Sequence, residues 1–339
     1  MSPRRAPTKS PRRAPTKSPR RALALAALIC LAAAPARAYS IYVTDEKGNT
    51  ITVIDSATLT VKQTVASGRR PRGVMTSPDG KLLYVCASDD DGIQVFDTAT
   101  MKLLRTLGSG PDPEQFTMNR AGNLLYIANE DNAEVTILDV VNNQVLANVP
   151  VGVEPEGMAL SPDGATLVAT SETTNMAHFI DARTFRRIDN VLVDKRPRYA
   201  MFTPDGAQVW VSSEVGGAVA VIDAATRKIV RKLRFDVPGL TPEEVQPVGM
   251  RITRDGATVF VALGPANRVA VVDAKTFAIR KYLLVGQRVW HLALTPDEKY
   301  LFTANGNSND VSVIDVAALK VIKSIQAGQA PLGVASSPN

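Results

Sequence analysis

The side chains able to do chemistry fall in one recurring slot of this 339-residue chain. Its paired positions read Arg70/Arg72, Asp112/Glu114, Glu154/Glu156, Arg196/Arg198, Gln246/Val248, Arg288/Trp290 and Ala330/Leu332. The following residue is Gly73, Gly157, Gly249 or Gly333 in four copies, but Gln115, Tyr199 or His291 in the other three. Guanidinium groups suit planar carboxylates through paired hydrogen bonds. Arg72, Arg198 and Arg288, with Tyr199, Trp290 and His291, are therefore candidates to line a funnel that binds a small anionic, aromatic ligand. Arg70, Glu114, Glu156 and Arg196 share the same slots. A second arrangement fits the spacing equally: the arginines pair with Asp112, Glu114 and Glu156, closing the funnel or positioning a protein partner. Both stay open at this point.

Other chemistry finds less support. Only two histidines are present, His178 and His291. His178 occupies the polar slot of an apolar strand, comparable to Thr52, Gln94 and Thr136, which suits packing between repeats. His291 has no Cys, second His or acid at ligand spacing, so no metal site is expected. Neither a Ser-His-Asp order nor a Gly-rich phosphate loop occurs. The acidic run Asp89-Asp-Asp91 lacks the spacing of a calcium loop and is expected to be solvated.

These slots sit on a repeat. A hydrophobic run ending in Asp recurs at Asp55, Asp97, Asp139, Asp181, Asp223, Asp273 and Asp315, with spacings of 42, 42, 42, 42, 50 and 42. Such a period marks a propeller or a solenoid. Within one copy, four short strands are expected at 73–77, 82–87, 93–97 and 102–107. The first two are joined by a Ser-Pro-Asp-Gly turn, whose Gly supplies a positive φ. That turn recurs at 161–164, 203–206, 253–256 and 295–298, and more loosely at 119–122. The recurring Asp, with a Thr three residues on, forms the corner between third and fourth strands by accepting backbone hydrogen bonds, without metal. In this strand order the loops between copies and those between second and third strands share one face, opposite the Pro-Asp-Gly turns and the Asp corners, so the variable slots above gather on one face. The eight additional residues of the longest interval fall within Phe235–Gln246, a loop on that face.

The chain enters the repeat at a second strand (Ile41-Tyr-Val-Thr44) and leaves it after a first strand (Leu332–Ser336). Together these ends make one further copy. The expected fold is all-β: a single seven-bladed β-propeller of four-stranded blades over residues 39–339. A composite blade, joining N-terminal second, third and fourth strands to a C-terminal first strand, closes the ring and removes open sheet edges.

Residues 1–38 have the layout of a cleaved signal peptide. A basic stretch precedes an apolar run from Ala22 to Ala34, and Ala36-Arg-Ala38 predicts cleavage before Tyr39. The run is shorter than the roughly 20 residues a membrane helix needs, so no membrane span is expected and the protein is placed in the periplasm. Nine of the 39 Lys and Arg and none of the 33 acids lie in 1–38, leaving 30 basic against 33 acidic side chains. The overall charge of +6 thus gives no support to a nucleic-acid partner. Cys86 would be the sole cysteine of the exported chain, and its apolar strand suits a buried thiol.

The segments Tyr42-Val-Thr-Asp45, Tyr84-Val-Cys-Ala87, Tyr126-Ile-Ala-Asn129 and Phe302-Thr-Ala-Asn305 resemble the Tyr-Val-Thr-Asn signature of YVTN-type propeller repeats. The Ser-Pro-Asp-Gly turns and the Val-x-Val-Ile-Asp runs at 219–223 and 311–315 add to that likeness, which covers essentially all of 39–339. More narrowly, the chain resembles propellers associated with pyrroloquinoline quinone (PQQ)-dependent alcohol catabolism. This resemblance implies a non-enzymatic accessory protein encoded beside quinoprotein dehydrogenases and transporter components. It would hold no cofactor of its own, and would bind a small anion, a quinoprotein dehydrogenase, a cytochrome c or a transporter component on its variable loop face. Propellers with similar repeats also include lactone hydrolases and the large subunit of quinoprotein amine dehydrogenases. For a hydrolase the available set is His291 with Arg288 and Glu156. A haem-handling propeller would use His291 as axial ligand.

Overall fold

The computed structural model describes residues 1–4, 6–12, 14 and 38–338. The apolar run 22–34, Cys30 and the paired arginines at 20–21 lie outside the described residues. The chain divides into two compact units, Met1–Ala36 and Arg37–Asn339, and the second carries the fold. Among the described residues no helix is long and apolar enough to cross a membrane.

Arg37–Asn339 is an all-β, seven-bladed propeller of four-stranded antiparallel sheets. Blade 2 is representative: Pro71–Thr76, Leu82–Ala87, Gly92–Asp97 and Leu103–Gly108 pair in order. The expected strands are thus right in number and place, with the first beginning two residues earlier, at Pro71. The first strands of successive blades contact one another in a closed ring around the axis. Fourth strands lie outside and are mostly exposed, as in Thr60–Ala66 and Leu103–Gly108.

The composite blade forms as the chain ends demand. Pro331–Ser336 pairs with Ser40–Asp45 through Tyr42↔Ala335 and Val43↔Val334. The Ser337 N–H donates to the Ser40 carbonyl at 2.8 Å, and the Ser40 N–H returns a bond to Ser337 Oγ at 3.0 Å. Blades are glued face to face by apolar residues alternating along the middle strands. Trp210 and Val221 of blade 5 pack with Val259 and Val261 of blade 6. Trp210, wholly buried, satisfies its indole N–H on Gln208 Oε1 at 3.2 Å.

The repeated polar residues do local work. Gly80 takes φ 72°, and Asp79 Oδ1 accepts from Ser77 Oγ at 2.6 Å and from the Lys81 N–H at 3.1 Å. Asp97 Oδ1 accepts from the backbone and hydroxyl of Thr100 at 2.8 and 2.7 Å. Asp55, Asp181, Asp223 and Asp273 hold their corners alike. On the opposite face, Asn49 Oδ1 receives the N–H of Arg70, Asn175 that of Arg196, Asn267 that of Arg288 and Asn309 that of Ala330. Arg70, Arg196 and Arg288 consequently take left-handed φ of 50–58°, which fixes where each following strand starts. The Asp89–Asp91 loop contains a short 3-10 turn, Ser88–Asp90, and the longest loop contains another, Pro242–Glu244.

Candidate functional site

The loop between second and third strands meets the loop entering the same blade on one face, through bonds such as Ser88 N–H to Arg70 O and Glu214 N–H to Arg196 O. There the arginines singled out in the sequence form a layer of ion pairs. Arg70 Nη2 reaches Asp112 Oδ1 at 2.6 Å and also contacts Glu114. Arg72 bridges Glu46 (2.8 Å), Glu156 (3.3 Å) and Glu114. Arg198 holds Glu172 (2.6 Å), Glu156 (3.2 Å) and Glu214 (2.8 Å). Arg196 Nε lies 2.5 Å from Glu172. Arg288 contacts Glu214, and its Nη1 donates to Gln246 Oε1 at 2.8 Å. Of the two arrangements open from sequence, the paired one is what the structure contains. A small anion would have to displace a carboxylate to reach Arg72, Arg198 or Arg288.

Burial makes this layer electrostatically uneven. Glu114 is fully buried, and desolvation carries its carboxyl well above the usual range although Arg72 opposes it. Burial pushes Glu156 the same way, but Arg198 and Arg72 outweigh it and hold that carboxyl below its ordinary value. Burial and the charge of Glu156 push Glu172 up to about 7 despite Arg198. Glu214 is buried too, yet Arg198 and Arg288 keep it low. Asp112, Glu114 and Glu130 lie close enough to share a cation; the Arg70 guanidinium already stands among them.

Glu46, Glu172 and Glu214 were not among the residues expected here. Their signal was present: the equivalent position past each second strand reads Glu46, Ser88, Glu130, Glu172, Glu214, Gly264 and Gly306, four acids opposite a slot rich in arginine.

Beneath the layer, Gln115, Tyr199 and His291 converge from blades 3, 5 and 7. Gln115 Nε2 donates to His291 Nε2 at 3.3 Å, and the Tyr199 and His291 rings lie 5.5 Å apart. The glycines in the same slot explain the asymmetry. A Cβ on Gly73, Gly157 or Gly249 would lie 2.8, 2.8 or 2.6 Å from the carbonyl oxygen of Glu114, Arg198 or Trp290 in the next blade. Glycine in one blade lets the neighbour's backbone close in, and the neighbour supplies the large side chain that blocks the axis. Burial drives the His291 imidazole down to about 3, against the pull of Glu156, so it is neutral. Trp290 sits outside this plug, under the guanidinium of Arg288 at 4.1 Å and that of Arg198 at 5.6 Å.

His178 lies elsewhere; rather than packing between repeats, it bonds within blade 4 and to that blade's entry loop. Its Nε2 accepts the Gly152 N–H at 3.0 Å and its Nδ1 faces Asn190 Oδ1 at 2.6 Å. Gln94 and Ser312 receive the equivalent glycine N–H groups in other blades.

On the far side of the plug an axial channel of about 350 Å³ runs toward the Ser-Pro-Asp-Gly turns. Its walls include Met75, Phe116, Met158, Met201, Phe202 and Met250. One cation enters it, Arg251, which donates to the Tyr199 hydroxyl and to Met250 O (2.8 Å). Arg251 has no carboxylate partner among the described residues. It stands alone in sequence too: the equivalent positions are Met75, Thr117, Ala159, Met201, Ala293 and Ala335.

The closed ring of seven four-stranded sheets, with its plugged axis and paired loop charges, defines a seven-bladed β-propeller. Sequence comparison assigns it further: the model of the lactonase, 7-bladed beta-propeller family matches residues 39–150 and 193–330. The chain belongs to that family. None of the curated protein sequences compared with it matches. Solved structures share the fold. A putative 6-phosphogluconolactonase from Bacteroides fragilis NCTC 9343 superposes with a TM-score of 0.72 at 19% identity, covering 88% of this chain and 98% of that one. The Kuenenia stuttgartiensis hydrazine synthase gives 0.71 at 20% identity over 79% and 90%. The dihydro-heme d1 dehydrogenase NirN, in complex with DHE, gives 0.68 at 16% over 88% and 75%.

Proposed function

We propose that this chain is an exported, non-catalytic propeller serving PQQ-linked alcohol oxidation, and that its loop face docks a redox protein, a quinoprotein dehydrogenase or a cytochrome c. The observation that carries the reading is the ion-pair layer. Its guanidinium groups are fixed by buried carboxylates, so the face is a preset array of charge rather than an open anion receptor. Half-exposed Arg196 and Asp89 and exposed Arg69 form its rim. Preset charges of both signs orient a partner and speed its encounter more than they add affinity.

The hydrolytic alternative is weaker on chemistry. With a conjugate acid near 3, His291 is a poor general base at neutral pH. Glu156 and Arg288 are tied to other partners. A haem ligand role for His291 has the same difficulty, because the ring is buried against Gln115 and Tyr199.

The test is retention of a purified quinoprotein dehydrogenase, and separately of its cytochrome c, on the immobilised protein at low salt. Retention is expected to fade at high salt and with the double variant Arg69→Glu/Arg196→Glu. Failure to retain either protein overturns the docking reading. Turnover of a sugar lactone that disappears in His291→Asn overturns the non-catalytic one.

A further inference from the structure

We propose that the axial channel is a separate binding site, for a small apolar or aromatic monocarboxylate that enters from the Ser-Pro-Asp-Gly face and is anchored by Arg251. The inference does not depend on the loop-face reading, because the plug of Gln115, Tyr199 and His291 stands between the two.

Four features carry it. The channel volume of about 350 Å³ lies within the range of small-molecule pockets, roughly 300–1,000 Å³. The walls mix thioether and aromatic side chains, Met75, Met158, Met201 and Phe202 among them, with polar groups such as Gln115 and Thr117; unbranched methionines adapt to varied apolar shapes. Among the described residues a single charge enters this cavity. The other arginines near the axis, Arg72, Arg198 and Arg288, are each neutralised by carboxylates, whereas Arg251 spends only Nη1 on the Tyr199 hydroxyl and Met250 O. Its Nη2 and Nε are left for a ligand, in the fork that matches a carboxylate. Finally, Tyr199 braces Arg251 from the plug, its ring 5.4 Å from the guanidinium carbon. The inner end thus offers one cation, one hydroxyl and the neutral edge of His291, while the Met and Phe side chains give a hydrocarbon body something to pack against. A dicarboxylate or phosphate would place additional charge against that wall without a partner.

Calorimetric titration of the purified propeller with benzoate, hexanoate, benzamide and inorganic phosphate tests this. Benzoate or hexanoate should bind, with benzamide and phosphate at least about tenfold weaker. Arg251→Gln should weaken the carboxylate about 10- to 100-fold, Arg251→Lys less, and Lys62→Gln, on the exposed outer strand, not at all. Met201→Trp should abolish binding by filling the channel while an unchanged far-ultraviolet spectrum reports an intact fold. Equal affinity in wild type and Arg251→Gln overturns the proposal, as does the absence of carboxylate binding up to about 10 mM. Loss of partner docking with carboxylate binding intact would overturn the loop-face reading alone.

Discussion

Gly249 of blade 6 is stacked on His291 of blade 7: its N–H donates to Trp290 O at 3.0 Å, and a Cβ built on it would lie 2.8 Å from His291 Cα. The glycine and the histidine are two halves of one device. The first gives up its side chain so that the second can be carried to the axis.

Gly249→Ala should therefore destabilise the fold. The new methyl meets backbone on the neighbouring blade, and such overpacking costs about 1–3 kcal/mol. Gly164→Ala has open space around it and pays only for its left-handed φ of 71°, about 1 kcal/mol. Urea unfolding should rank the two in that order; the reverse ranking would mean that the blades adjust freely.

Arg72→Met removes the shared partner of Glu114 and Glu156, which are 0% and 3% exposed. Stranding buried charge costs about 3–5 kcal/mol. Arg69→Met breaks an exposed pair with Asp90 and should leave the urea midpoint near wild type. A mild effect at Arg72 would show that the layer rearranges around the loss.

Stability should depend on pH in two opposed ways. An unfolded histidine protonates near 6.5, whereas His291 in the fold does so only near 3. The unfolded chain binds more protons between these values, so stability rises with pH across that window, by up to about 1.4 kcal/mol per unit. Glu172 acts in reverse. In the fold it keeps its proton to about 7, against 4.5 in the unfolded chain, so stability falls as pH rises from 4.5 toward 7. In urea midpoints against pH, His291→Gln should flatten the rising contribution and Glu172→Gln the falling one. Unchanged profile shapes would contradict both assignments.

His178→Ala leaves the Gly152 N–H, Asn190 and Ser171 without the partner that each faces. Buried polar groups left unmade cost about 1–3 kcal/mol. His178→Gln should restore part of that loss, since Gln94 already accepts the equivalent Gly68 N–H in blade 2. Equal melting of the two variants would indicate a packing role alone.

Export should yield a chain that begins at Tyr39. The Tyr39 N–H already donates to Ser56 Oγ at 2.7 Å in a buried site, and a new terminal ammonium there would keep that bond. Intact mass of protein recovered from the periplasm checks it. A chain starting further upstream would refute the cleavage site.

The fold was legible because its instructions are local and repeated. Each Ser-Pro-Asp-Gly turn and each corner aspartate acts on backbone within a few residues, and the ends of the chain announce their own closure. The loop-face site was legible in part. The arginine slots were visible, and so were the three large residues that interrupt the glycines. Glu46, Glu172 and Glu214 escaped because their partners lie in other loops, and Arg251 because it sits two residues along the strand from the glycine slot at Gly249.

By itself, then, the sequence determined seven blades, their strands and the shared blade at the seam, since a 42-residue period repeats the same short-range interactions. Only the tertiary structure decided which charges meet. Arg72 reaches Glu156 across 84 residues, Arg288 reaches Glu214 across 74, and Gln115 meets His291 across 176. Those encounters exist only once the ring has closed, because it is the ring that brings side chains from different blades to one axis. The same closure leaves Arg251 facing the channel with no acid paired to it among the described residues.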